Sequence, residues 1–186
     1  MTENPKRLVE RLSPVCLAAL ERTVADAAAQ CLTEVVPEHL FQSLLHDDSS
    51  GARRLLDILR VDHDAVVAVT QRVVGQVRAG NAGKPVFATA LFQWLQDAWS
   101  YGSLELQRSH IDSATLCRTW IRHFARYTTV EFRSLSALDK RAVDAHVGTF
   151  DDAAAPAPSL AERVAQLERR VTELEQSLAM ERGRYH

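Results

Sequence analysis

Three groups of residues carry side chains reactive enough to be tested for chemistry. The first is "GNAGKP" (Gly80 to Pro85), which has the outline of a phosphate-binding loop. Such a loop needs a glycine five residues before Gly83 and a Ser or Thr after the lysine, since backbone N–H groups cradle the phosphates and the hydroxyl holds the metal. Arg78 and Pro85 occupy those positions, so no nucleotide site forms. The second group is His39 and His46, seven residues apart and able to share a helix face, with Asp47, Asp48, Asp62, His63 and Asp64 as further oxygen and nitrogen donors. No HExxH or paired-cysteine spacing supports zinc, and these residues read as helix caps and solvated surface. The third is a cysteine nucleophile. Cys16, Cys31 and Cys117 are odd in number and widely spaced, and each lies in an apolar helical run with no catalytic motif beside it. There a free thiol behaves as a small hydrophobe. Trp94, Trp99 and Trp120 sit at helical spacing and read as core rather than a ligand box. The expectation is a protein without catalytic residues, cofactor or metal.

Composition narrows the classes that remain. Of 186 residues 46% are apolar, ample for a packed core, and the net charge is −2. Residues 1–150 hold 17 basic and 17 acidic side chains, so the balance gives no reason to expect nucleic acid or an anionic membrane as partner. The start carries no charged and apolar leader, and no apolar run approaches a membrane span, which predicts a cytoplasmic protein.

The elements that must position any site are helices. Ser13-Pro14 is a cap followed by proline at the first helical position, opening a helix to about Gln30. Val36-Pro37-Glu38 starts a second helix, with Leu40, Phe41, Leu44 and Leu45 as its stripe. A short third is capped near Ser49, and Asp62 caps a fourth, whose β-branched run is outweighed by its length and cap. After the linker at Arg78 to Pro85 the order recurs: a long helix from about Ala88 to Tyr101, one after Asp112, a short one around Val130 to Leu135, and a fourth opening at Ser136. A shift of 75 residues places Phe87 on Leu12, Leu91 on Cys16, Leu95 on Leu20 and Ile111 on Val36. Two four-helix units, each too small to bury its own face, predict one all-α, pseudo-symmetric head over residues 1–150.

The tail differs. Residues 151–159 form an Ala/Pro spacer. Over 160–182, Leu160, Val164, Leu167, Val171, Leu174 and Leu178 alternate spacings of four and three, a heptad with Val, Val, Leu at a and Leu at d. Arg163 and Arg170 at g face Glu168 and Glu175 at e of a second strand, a pattern that favours a parallel homodimer. The competing reading is a lone amphipathic helix folded back on the head.

"LVERLSPVCLAALE", "EVVPEHLFQSLL", "GNAGKPVF" and "LQDAWSYGSLEL", in this order and with the internal repeat, resemble the amino-terminal (Clp-N) domain of Hsp100 unfoldases, most closely that of the type VI secretion ATPase ClpV. The resemblance runs from about Leu8 to Val147, and no ATPase module follows it here. It implies an eight-helix, two-repeat fold that docks substrates or adaptors. In ClpV such a head captures a helix at the amino terminus of the large contractile-sheath subunit, in a hydrophobic groove. Carried over by motif, that peptide-binding groove involves Leu12, Ser13, Cys16 and Leu17 with Val86, Phe87, Ala90 and Leu91. The function this implies is a non-catalytic helix-binding module of type VI secretion, recognising the sheath subunit or a related accessory protein as adaptor or competitor of ClpV. Two alternatives stay open: a general Clp-type adaptor or client-binding protein in quality control, and a structural part whose coiled coil is the working end.

Overall fold

Proline and small polar residues set the helix starts, as the spacing requires. The structure is a computed structural model that describes residues 4–80 and 84–152. Its elements are α1 (Pro5–Glu10), α2 (Pro14–Ala29), β1 (Glu34–Val35), α3 (Pro37–Leu45), α4 (Gly51–Ile58), α5 (His63–Val74), β2 (Val86–Phe87), α6 (Thr89–Glu105), α7 (Ser113–His123), a 3-10 turn (Phe124–Arg126), α8 (Arg133–Ser136) and α9 (Lys140–Val147). Ser13 accepts from the Cys16 amide, Asp62 from Ala65 and Asp112 from Thr115, each satisfying an otherwise orphaned donor of the first turn. The spacer beyond residue 152 and the heptad positions Leu160, Val164, Leu167, Val171, Leu174 and Leu178 lie outside the described residues.

Three local expectations need correcting. A separate first helix, α1, precedes Ser13; Asn4 caps it, Pro5 starts it, and Leu8 buries its one large side chain. The last helix opens at Lys140 behind Asp139, because Ser136 belongs to the end of α8. Cys31 is exposed rather than packed in a stripe. Past the Gln30 cap it takes a left-handed conformation (φ 53°), and the Leu32 amide donates back to the Ala27 carbonyl, closing α2 in a Schellman-type turn.

Helices α2–α5 and α6–α9 form the two repeats. The shift is one residue longer at the second helix of each repeat, so the caps Val36 and Asp112 correspond and Val35, not Val36, matches Ile111. Val35 and Ile111 are both fully buried. Short parallel ladders cross between the repeats. The segment before α6 pairs with the segment before α3 (Glu34 with Val86, Val35 with Phe87), and the segment before α2 pairs with the segment before α7 (Leu12 with Ile111). Each half thus lends its leading strand to the other.

Helix α7 is the centre. Residues 111–121 are buried throughout, and α7 packs on α4, α6 and α9. Around Trp120 lie Phe41, stacked at 4.8 Å, Trp94 edge-on at 5.0 Å and Phe132 edge-on at 5.5 Å. Such ring pairs add about 0.5–1.5 kcal/mol each beyond area burial. The two tryptophans differ in one respect. Trp94 donates its indole N–H to the Leu116 carbonyl at 3.0 Å, whereas the Trp120 N–H is buried without a partner among the described residues. Trp94→Phe is therefore expected to cost about 1 kcal/mol more than Trp120→Phe, since only the first loses a hydrogen bond. Urea midpoints of the two variants check this, and equal midpoints would contradict it. No helix among the described residues is long and apolar enough to cross a membrane.

Candidate functional site

The start of α2 lies against the last described residues of the chain. Asp152 is 2% exposed, and its carboxylate accepts from the Ser113 amide at 2.6 Å, the Gly51 amide at 3.2 Å and the Ser13 hydroxyl at 3.5 Å. One carboxylate thus meets the amino ends of α7, α4 and α2. Gly51 is required by closeness: a Cβ there would stand 3.0 Å from Asp152 Oδ1 and 3.2 Å from Phe150 Cβ. Arg108 completes the clasp, holding the fully buried Asp112 carboxylate and donating to the carbonyls of Gly148 and Phe150. The Cys16 thiol is pushed well above its usual pKa by burial and then by Asp152, which leaves it unreactive.

The eight groove residues divide by exposure. Leu12, Ser13, Cys16 and Leu91 are buried, and Cys16 and Ser13 face Asp152 rather than solvent. Leu17 (37%), Val86 (63%) and Phe87 (36%) are exposed, and Ala90 is half-buried. Phe87 meets the half-buried Phe92 edge-on at 5.7 Å, one turn into α6. Helix α2 packs against β1, and β1 pairs with β2, so Leu17 and Phe87 belong to elements held to each other through β1. The backbone of β2 is fixed by the Val86 amide donating to the Thr33 carbonyl and the Ala88 amide donating to Val35. Val86 and Phe87 are therefore apolar side chains offered to solvent on a fixed backbone, and exposed apolar groups of this kind mark docking surfaces more often than single surface leucines do.

The histidine and aspartate cluster is spread over ordinary tasks. Val36 donates its amide to His39 Nδ1 at 3.1 Å, Asp47 caps the Ser49 amide, and His63 pairs with Asp57 at 2.7 Å. Among the described residues no group of three His, Cys, Asp or Glu is arranged to hold a metal ion. Burial holds the His39 imidazole below its usual pKa. Its folded value lies under its unfolded value of about 6.5, so the unfolded chain binds the proton first and stability falls as pH drops below that point. His123 is depressed as well, by partial burial and then by arginines, and adds to the same slope. His39→Gln is expected to reduce the loss of stability between neutral pH and pH about 5 without abolishing it. Urea titrations at the two pH values read this, and an unchanged slope would show that His39 contributes nothing.

Two crossed helical repeats, clasped through short parallel ladders, constitute the Clp-N type of fold. The particular structures it resembles are N-domains of ClpV. One is the ClpV N-domain in complex with a VipB peptide, 22% identical, with a TM-score of 0.67 over 83% of this chain and 96% of that one. Another is the N-domain of ClpV from Vibrio cholerae, 21% identical, with a TM-score of 0.70 over 80% of this chain and 90% of that one. A third comes from work on the ATPase ClpV, the TssB-TssC sheath and the accessory HsiE protein in two type VI secretion classes; it is 17% identical, with a TM-score of 0.67 over 85% and 99%. No protein-family model matches the chain, and no curated protein matches its sequence.

Proposed function

We propose that this chain is a non-catalytic docking module that captures an amphipathic helix of a partner on the apolar strip formed by Leu17, Val86 and Phe87, with Ala90 beside them. The observation that carries this reading is the exposure of Val86 and Phe87 on a backbone already fixed by its ladder to β1. A preformed strip costs little ordering on binding, and an apolar helix face read at i, i+3 and i+4 fits it. The likeness to a ClpV N-domain in complex with a VipB peptide supports a peptide as the ligand. The partner we infer is a helical segment of the type VI secretion sheath subunit or of an accessory protein, held by an adaptor or by a competitor of ClpV in the cytoplasm. The heptad over 160–182 would present two such heads side by side, raising avidity on a polymer whose sites repeat.

Fluorescence anisotropy of a labelled peptide, the amino-terminal helix of the large sheath subunit from the same organism, tests the reading. Saturable binding to the full chain supports it, and none up to about 0.5 mM removes the sheath as ligand. Sedimentation of the full chain and of residues 1–152 tests the dimer separately.

A further inference from the structure

Where α7 ends, the 3-10 turn, α8 and the first turn of α9 line a pocket of about 370 Å³ that opens to solvent. Its floor is apolar (Ile121, Phe124, Leu135) and its rim is cationic (Arg122, Arg126, Lys140, with His123 beside them). No carboxylate among the described residues lines it. Acids lie beyond the lining: Asp97 pairs with Arg126 at 2.7 Å, Asp144 is shared between Arg118 at 2.8 Å and Arg122 at 3.6 Å, and Asp139, next to Lys140, is engaged as the cap of α9, accepting from the Arg141 amide. Three cations therefore line the pocket; Arg122 and Arg126 each reach a carboxylate beyond it, and Lys140 forms no ion pair among the described residues. Partial burial, and then the nearby arginines, hold the His123 imidazole below its usual pKa, so it adds little charge of its own to the rim at neutral pH.

This concentration of charge is local, since residues 1–150 as a whole balance 17 bases against 17 acids. Nor does the fold demand it. At the corresponding corner of the first repeat, His46, Asp47 and Asp48 stand where the second has Arg122, His123 and Phe124. There each aspartate is matched by an arginine, Asp47 by Arg22 at 3.2 Å and Asp48 by Arg53 at 3.2 Å, so the surplus of cations belongs to the second repeat. A cation rim over an apolar floor, with Arg126 61% exposed, is complementary to carboxylates flanking one bulky apolar side chain.

We propose that this pocket is a second docking point, separate from the strip at Phe87, for an acidic partner segment carrying an aromatic or leucine side chain between its carboxylates. The test uses the full chain and a fluorescein-labelled hexapeptide of sequence ELDEFD, read by anisotropy at low salt. Lys140→Glu is the main variant; it lies at the first position of α9, where an acidic side chain favours the helix, so folding is retained. Saturable binding that Lys140→Glu weakens at least about tenfold, and that Phe87→Glu leaves unchanged, supports the proposal. It is overturned by an absence of saturation up to about 0.5 mM, by equal affinity in Lys140→Glu, or by full displacement with inorganic phosphate, which would mean a general anion site. Loss of sheath-peptide binding in Phe87→Glu together with retention of the acidic peptide separates the two surfaces.

Discussion

Asp152→Ala lowers the stability of the head by about 3 kcal/mol, the sum expected for removing caps from helix amino ends and leaving buried amides unpaired. The Ser113 and Gly51 amides would both lose their acceptor in a space that is closed to solvent. The negative charge also sits where partial positive charge from helix amino ends accumulates, so the carboxylate does more than a neutral acceptor would. Asp152→Asn keeps an acceptor oxygen and should retain about half of the effect. Gly51→Ala forces a Cβ against Asp152, Ala114 and Phe150, and its cost should shrink when combined with Asp152→Ala, since the closest of its three near contacts is then gone. Urea unfolding of the four variants beside the parent chain reads all of this. A shift under about 0.5 kcal/mol for Asp152→Ala would show that the carboxylate is incidental.

Phe87→Glu abolishes capture of the helical peptide while leaving the fold intact. The side chain is partly exposed, so a carboxylate at its end remains hydrated and adds no buried charge. The bound state would instead have to bury that charge against an apolar helix face, weakening affinity by more than about a hundredfold. Val86→Glu acts in the same direction. Leu91→Ala provides the contrast: Leu91 is buried, its truncation costs about 2–5 kcal/mol of stability, and the native fraction that remains still binds the peptide. Thermal melts alongside anisotropy distinguish the two classes. If Leu91→Ala lost affinity in the folded state while Phe87→Glu kept it, the strip would be misplaced.

Much of this architecture is legible in the residues. Ser13-Pro14, Pro37, Asp62 and Asp112 announce helix starts by local chemistry alone, and the structure has a helix behind each. The α5 run of valines folds as helix despite its β-branched content, because Asp62 caps it and its length exceeds that of a short strand. What could not be read is what long-range pairing decides. The ladders span two residues or one, too short to show a period of two. Asp152 looks like linker, adjoining an Ala/Pro tract, and only its burial against three helix starts reveals its task. Among the groove residues, helical spacing alone does not separate the buried face of α2 and α6 from the open one. Cys16 and Leu17 are neighbours in sequence with opposite exposure, and only the packed neighbours distinguish them.

The crossed ladders carry a consequence for how the molecule comes apart. Since Leu12 pairs with Ile111 and Val35 with Phe87, neither half of the chain owns a complete set of backbone partners. Severed within the Arg78 to Pro85 connection, the halves should each remain largely unstructured alone and regain helicity when mixed, as a complementing pair of fragments. Behaviour of that kind, read by circular dichroism of the separate and the mixed fragments, would make the head a split protein, and a reporter divided between its halves would light only when both are brought together.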